Sequence, residues 1–312
     1  MLKNGNTQKM YNEIISGLSN NPKRLFPKFF YDEKGSALFD KICELDEYYP
    51  TRTELKIMEE NIDEIVSLFD EQTLFIEFGS GSSLKTRLVL SNLDRLGAYI
   101  PIDISEDHLI KTAEKLRSEF PKIEIIPLAA DYTETISLPA TDKHITKKIA
   151  YFPGSTIGNF SRKNAKDFLG KVAGICGKNG GLIIGVDLKK DIEILEAAYN
   201  DKEGITAEFN LNILNNLNNN FDFNFNLENF EHNAVFNNEE GRIEMRLVSL
   251  EDQTVSSNGK SFQMIKNENI ITEYSHKFTK QEFAELASDN FDVSKVWTDE
   301  KNYFSVQYLT VK

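Results

Sequence analysis

From Leu74 onward, short apolar runs alternate with stretches of helical spacing. The runs are LFIEF (74–78), AYIPID (98–103), IEIIPLAA (123–130), KIAYF (148–152) and GLIIGVD (181–187). Each is short and almost free of polar residues, the pattern of strands buried on both faces of a parallel sheet. Between them, SLKTRLVLSNLDRL (83–96) and SEDHLIKTAEKLRSEF (105–120) space their apolar residues as helices do, the second opened by Ser105 with Glu106 and Asp107 in its first turn. The last run changes period. FDVSKVWTD (291–299) and NYFSVQYLTV (302–311) alternate apolar and polar positions about a short polar turn, which predicts an antiparallel hairpin.

Two segments fall outside this sheet, residues 1–53 and 188–277, and they are expected to pack together as a second domain beside a wound-sheet domain of residues 54–187 and 278–312. The second segment contains NLNILNNLNNNFDFNFNLENF, which imitates low complexity. Its apolar residues argue for ordinary structure: Leu211, Leu214 and Leu217 recur at helical spacing, and the alternation of Phe221, Phe223 and Phe225 predicts a strand after the helix. The asparagines themselves suggest no function, and no internal repeat is visible.

Composition narrows the partners. A chain of 312 residues suffices for one large domain or two modest ones, and its net charge of -13 opposes both nucleic acid and an anionic membrane face. A small molecule is the expected partner, with the protein a monomer. The two cysteines, Cys43 and Cys176, are too few for a disulfide framework or a zinc cluster, which fits a reducing cytoplasm. The start, MLKNGNTQKMYNEI, has no apolar core of an export signal, and no apolar stretch is long enough for a bilayer.

Candidate chemistry begins at LFIEFGSGSSLK (74–85), a buried strand breaking into a Gly79-Ser80-Gly81 turn, with Asp103 closing the next strand. Glycines there let a ligand approach the backbone, and an acid at the second strand's end can accept from ribose hydroxyls. The third glycine of a dinucleotide fingerprint is replaced by Leu84, so a pyrophosphate seat has little support. An adenosine without phosphates fits better, and S-adenosylmethionine is the ligand of that description, with a dinucleotide the lesser alternative. Methyl transfer from a sulfonium releases a neutral sulfide, so it asks for positioning and a free amine rather than acid catalysis or a metal. Asp131 follows the third strand, where it can accept from an adenine amino group or merely cap a turn. Asn159 follows the fourth, at the sheet edge where ligands bind, or caps the next helix. In the outer segments Tyr31, Tyr48 and Tyr49 are either ligand contacts or amphipathic seam residues, and Gly35 marks a turn. Glu273 and Ser275 stand two apart on a predicted strand, so they share a face and could answer the donor and acceptor of a neutral imidazole. Neither His108, His144, His232 and His276 nor the cysteines show metal or nucleophile spacing, and surface or cap roles are expected of the histidines.

Taken in order, YDEKGSALFDKI, EYYPTRTE, EFGSGSSLKT, PIDIS, ADY, FPGSTIGN, AAYND, IEMRL and TEYSHKF resemble the histidine-specific N-alpha-methyltransferases of the ergothioneine pathway, and the resemblance spans nearly the whole chain. The five parallel strands and hairpin likewise look like the α/β class I methyltransferase (Rossmann-like) sheet. The resemblance implies that fold plus a second α+β substrate-binding domain, and trimethylation of the histidine α-amino group to its betaine, hercynine. By motif it implies S-adenosylmethionine contacts from Gly79, Lys85, Asp103, Asp131 and Tyr132. It implies an amino-acid site of Tyr48, Asn159 and Tyr199 at the amino and carboxylate ends, Met245 lining the side-chain pocket, and Glu273 and Ser275 on the imidazole. Tyr48, with Tyr31 close by, would act on the amine. Pro50 beside the tyrosine pair leaves open whether Tyr48 or Tyr49 faces the substrate, and Ser82, Ser83 and Leu84 before Lys85 depart mildly from the family's loop. Relatives that methylate another aromatic amino acid, or that bind without catalysing, are the alternatives.

Overall fold

In a computed structural model of the chain, residues 5–81, 84–93 and 95–312 are described. Ser82 and Ser83 of the glycine turn, Asp94 of the first predicted helix and residues 1–4 of the start lie outside the described residues. The chain divides into two units, Met1–Tyr49 with Lys190–Ser275, and Pro50–Lys189 with His276–Lys312.

The second unit is built on an eight-stranded sheet. Its centre is Thr73–Phe78, buried from end to end because every side chain faces a helical layer. Ala98–Asp103 pairs parallel on one side and Lys147–Phe152 on the other, followed outward by Gly181–Asp187 in parallel. The chain thus winds out from Thr73–Phe78 in one direction and returns to wind in the other. A ligand crevice is expected at the carboxyl ends of the two strands flanking that switch. The terminal hairpin, Phe291–Thr298 with Phe304–Val311, joins antiparallel to Gly181–Asp187. One face of the sheet (Leu74, Ile76, Phe78) packs on Phe168, Leu169 and Phe283, the other (Phe75) on Ile57, Met58, Val89 and Leu116.

The third predicted strand is broken. IEIIPLAA forms two short strands, Glu124–Ile125 and Leu128–Ala129, both parallel to Ala98–Asp103. The ladder continues through the Ile126 and Ala130 amides, but Pro127 between them has no N–H to donate.

The first unit holds a four-stranded sheet in the order Lys23–Arg24, Asn269–His276, Arg242–Ser249, Phe230–Asn237, with a separate hairpin of Gln253–Ser257 and Lys260–Met264. The asparagine-rich run folds as the helix Ile205–Phe221, whose Phe209, Ile213, Leu214 and Leu217 are buried. No strand forms over residues 222–226. Phe223 and Phe225 are buried and stacked at 5.5 Å, but the Phe225 amide and carbonyl bond the side chain of Asn218, each at 2.8 Å, instead of a neighbouring strand. Several asparagines are structural: Asn216 donates to the Phe29 carbonyl at 2.7 Å, and Asn212 to Asp32 at 2.8 Å. Gly35 lies inside the helix Glu33–Glu44 rather than at a turn, and Asp32 caps that helix by accepting from the Gly35 amide at 2.7 Å.

Candidate active site

On the wound sheet, the turn after Thr73–Phe78 is pinned by the Gly79 and Ser80 amides, which donate to the Ile102 carbonyl at 2.8 and 3.3 Å. Gly79 takes φ +73°, a left-handed conformation that glycine adopts without cost. A Cβ at this position would sit 3.8 Å from the Tyr132 ring, so bare backbone and an aromatic edge face each other there. Asp103 ends the neighbouring strand; its Oδ1 accepts from the Ser105 amide at 2.9 Å and its Oδ2 from the Gly81 amide at 3.4 Å. His108 closes the same turn, its Nε2 lying 3.1 Å from the Gly81 carbonyl. Gly79, Asp103 and Tyr132 are therefore brought together. Asp131, beside Tyr132 in sequence, accepts from the Thr133 amide at 2.9 Å and hydroxyl at 2.5 Å, so it shapes a turn as well.

Lys85 forms an ion pair with Glu54, a carboxylate on the helix Tyr49–Glu60 that is wholly buried. The same Glu54 oxygen accepts from the Gly154 amide at 2.8 Å, which ties Lys85 to the loop FPGSTIGN. Room for this carboxylate exists because position 185 is glycine; a Cβ there would overlap it. Glu77, in the central strand, accepts from the Tyr99 hydroxyl, and burial pushes its pKa up to about 7. Neither acid stood out in the sequence, although an acid inside an apolar strand and the TRTE run after the tyrosines were both visible signals. Asn159 ends the short turn Thr156–Asn159 and does not cap the following helix; Ser161 does, accepting from the Asn164 amide at 3.2 Å. Cys176 is an inert thiol whose pKa burial pushes up to about 12.

In the other unit, Tyr48 lies edge-on to Tyr199 at 6.3 Å and to Phe39 at 6.3 Å, and Tyr31 is edge-on to Phe39 at 5.8 Å. The Tyr199 hydroxyl donates to Ser275 at 2.9 Å. Burial first, then Tyr199, Cys43, Glu273 and Tyr31, raise the Tyr48 pKa well above that of free tyrosine, so its phenol stays protonated. Tyr31, Tyr48, Tyr199, Glu273 and Ser275 form one cluster. Tyr49 is turned elsewhere, accepting from Lys190 at 2.6 Å, so the member of the pair facing Glu273 is Tyr48. Met245 is buried on the adjacent strand, its carbonyl 3.2 Å from the Thr272 hydroxyl. Asn159 belongs to the wound-sheet unit. Surface roles fail for two histidines: His276 is buried, and His232 is held inside the unit by Asn210 and the Tyr199 carbonyl. Among the described residues no group of three or more His, Cys, Asp or Glu could hold a metal ion.

A wound sheet of this order, with a bare glycine turn facing an acid at the end of the next strand, has the class I methyltransferase (Rossmann-like) architecture. More particularly, residues 10–311 match the family described as histidine-specific methyltransferase, SAM-dependent, and the chain belongs to it. It is 36% identical over 301 residues to the histidine N-alpha-methyltransferase of Mycolicibacterium smegmatis, covering 94% of this chain and 92% of that protein. It is also 36% identical over 201 residues to ergothioneine biosynthesis protein 1 of Neurospora crassa, covering 63% of this chain and 23% of that longer protein. A 4-dimethylallyltryptophan N-methyltransferase of Claviceps purpurea is 25% identical over 318 residues, covering 92% of this chain and 91% of that protein.

Proposed function

We propose that this enzyme transfers methyl groups from S-adenosylmethionine to the α-amino group of L-histidine, through to the trimethylated betaine, as the first step of ergothioneine biosynthesis. The observation that carries the reading is the cluster of Tyr31, Tyr48, Tyr199, Glu273 and Ser275 in a member of a histidine-specific family. Glu273 accepts from one imidazole nitrogen and the Ser275 hydroxyl answers the other, a pairing that tryptophan and phenylalanine cannot complete. Each transfer forms an N–C bond as the S–CH3 bond breaks and the neutral sulfide S-adenosylhomocysteine leaves, with one amine proton lost to solvent per methyl group added. Tyr48 stays a neutral phenol and accepts a hydrogen bond from an amine N–H in the first two transfers, which helps hold the lone pair in line. Tyr31 supports it, Asn159 and Tyr199 hold the amino and carboxylate ends, and Met245 lines the side-chain pocket.

The wound-sheet residues fit the methyl donor: the bare Gly79 backbone opposite the Tyr132 ring suits a flat, uncharged group, and Asp103 at the strand end suits ribose hydroxyls. When bound, S-adenosylmethionine supplies an activated methyl group. Asp131 and Lys85 complete its contacts in this proposal, and Glu54 holds Lys85 in place. In the same proposal residues 1–53 and 188–277 are the substrate-binding domain and residues 54–187 and 278–312 the donor-binding domain. In the same proposal the enzyme works as a monomer. Both cysteines are free thiols, which suits the cytoplasm, and among the described residues no helix is long and apolar enough to cross a membrane.

The test is incubation with S-adenosylmethionine and histidine, tryptophan or tyrosine in parallel, read by mass spectrometry. Trimethylhistidine is the expected end product with excess donor. A product that stops at one methyl group, or methylation of tryptophan in preference to histidine, would sink the proposal.

A further inference from the structure

The asparagine-rich helix carries one residue whose amide is fully used. Asn210 is wholly buried; its Nδ2 donates to the Arg246 carbonyl at 2.9 Å and meets Nδ1 of His232 at 2.9 Å, and its Oδ1 accepts the Thr272 hydroxyl at 2.6 Å. A carbonyl can only accept, so the Arg246 bond fixes which end of the amide is nitrogen. His232 Nδ1 is therefore the acceptor, its proton sits on Nε2, and Nε2 donates to the Tyr199 carbonyl at 2.8 Å. Tyr199 in turn donates its hydroxyl to Ser275 at 2.9 Å. Thr272 and Ser275 stand on one strand, Asn269–His276, with Glu273 between them. The bonds close a ring: Thr272, Asn210, His232, Tyr199, Ser275 and back along the strand.

We infer that Asn210 and His232 are positioning residues of the amino-acid site, holding the Tyr199 hydroxyl at a fixed height against Ser275 and Glu273 without touching the ligand themselves. The inference rests on the reading of Glu273, Ser275 and Tyr199 as substrate contacts. Its physical basis is that the ring joins a helix, a loop residue and three strands through bonds whose donors and acceptors are all assigned, so a shift of Tyr199 breaks at least one of them. Burial lowers the pKa of His232, against the Tyr199 carbonyl bond and Asp201, which keeps the ring neutral and the Nδ1 acceptor available. An apolar side chain at position 210 or 232 would fill the space but break the chain of bonds that runs to the Tyr199 carbonyl.

The test compares the full chain with His232→Leu and His232→Gln, measuring kcat, KM for histidine and KM for S-adenosylmethionine. A glutamine amide can donate to Tyr199 and accept from Asn210; leucine can do neither. His232→Leu should raise the histidine KM about tenfold, the expected loss for a disrupted buried hydrogen bond, with the donor KM unchanged. His232→Gln should restore most of it. An unchanged histidine KM in His232→Leu, or equal impairment of both variants with the donor KM rising in parallel, overturns the inference. Should His232→Leu fail to fold, Thr272→Val removes only the hydroxyl at the far end of the ring; a raised histidine KM supports the inference and an unchanged one overturns it. A wild-type chain that ignores histidine and methylates another amino acid would sink the functional reading alone, and the same KM ratios taken on that amino acid then decide the positioning role.

Discussion

Glu77 is an acid in a strand that has no exposed residue, and its ionisation is the residue-scale event with the clearest consequence. Burial raises its pKa to about 7, opposed by the Tyr99 and Thr86 hydroxyls and by Lys85. A carboxyl with a raised folded pKa stabilises the fold fully below its unfolded pKa of 4.5, and that contribution is lost as pH rises through about 7. The whole shift corresponds to about 3 to 4 kcal/mol, of which about 2 to 3 kcal/mol falls between pH 5 and pH 8. Glu77→Gln should therefore gain stability relative to the wild type between pH 5 and pH 8 by about that amount. Urea unfolding at both pH values checks it, and a difference that does not change with pH would show that Glu77 is ionised as easily as an exposed carboxyl. Tyr48 has the opposite significance: its raised pKa removes it as a phenolate base and leaves it as a neutral hydrogen-bonding group.

At the scale of elements, the segment after the helix Ile205–Phe221 is the instructive case. Phe221, Phe223 and Phe225 alternate and all are buried, as in a strand, yet the backbone has no partner strand. Asn218 takes the partner's place by bonding both the amide and the carbonyl of Phe225 at 2.8 Å. Side-chain amides can imitate a ladder in this way because they carry one donor end and one acceptor end, like a peptide. Asn218→Ala should lower the urea midpoint by an amount equivalent to about 1 to 3 kcal/mol, since two main-chain groups lose their partner. An unchanged midpoint would mean that the two phenylalanines alone hold the segment.

For the whole molecule the relevant facts are a wound sheet with a bare glycine turn, a net charge of -13, and no cluster of metal-binding side chains among the described residues. Methyl transfer from a sulfonium releases a neutral sulfide, so nothing in the displacement calls for a Lewis acid. Exhaustive chelation followed by dialysis should leave histidine methylation unchanged. Loss of activity that a divalent cation restores would require a metal site, and with it a different account of how the amine is activated.

The sequence by itself determined the order and type of the main elements, because burial on both faces, amphipathic spacing and alternation are local properties of the chain. The parallel strands, the helix through Leu214 and Leu217 and the terminal hairpin could be read that way. Pro127 was also legible as a ladder breaker, although the apolar run around it masked the split. The motif order named Tyr48, Tyr199, Glu273 and Ser275 as candidates but could not choose between Tyr48 and Tyr49. The fold sets only the surroundings of the two rings, turning Tyr48 toward Tyr199 and Tyr49 toward Lys190. Tertiary structure alone decided the polar partners: Glu54 for Lys85, Ser275 for Tyr199 and the Asn210–His232 link behind them. A polar side chain carries no periodic signal of its partner, since that partner is set by strand register and by packing between residues far apart in the chain.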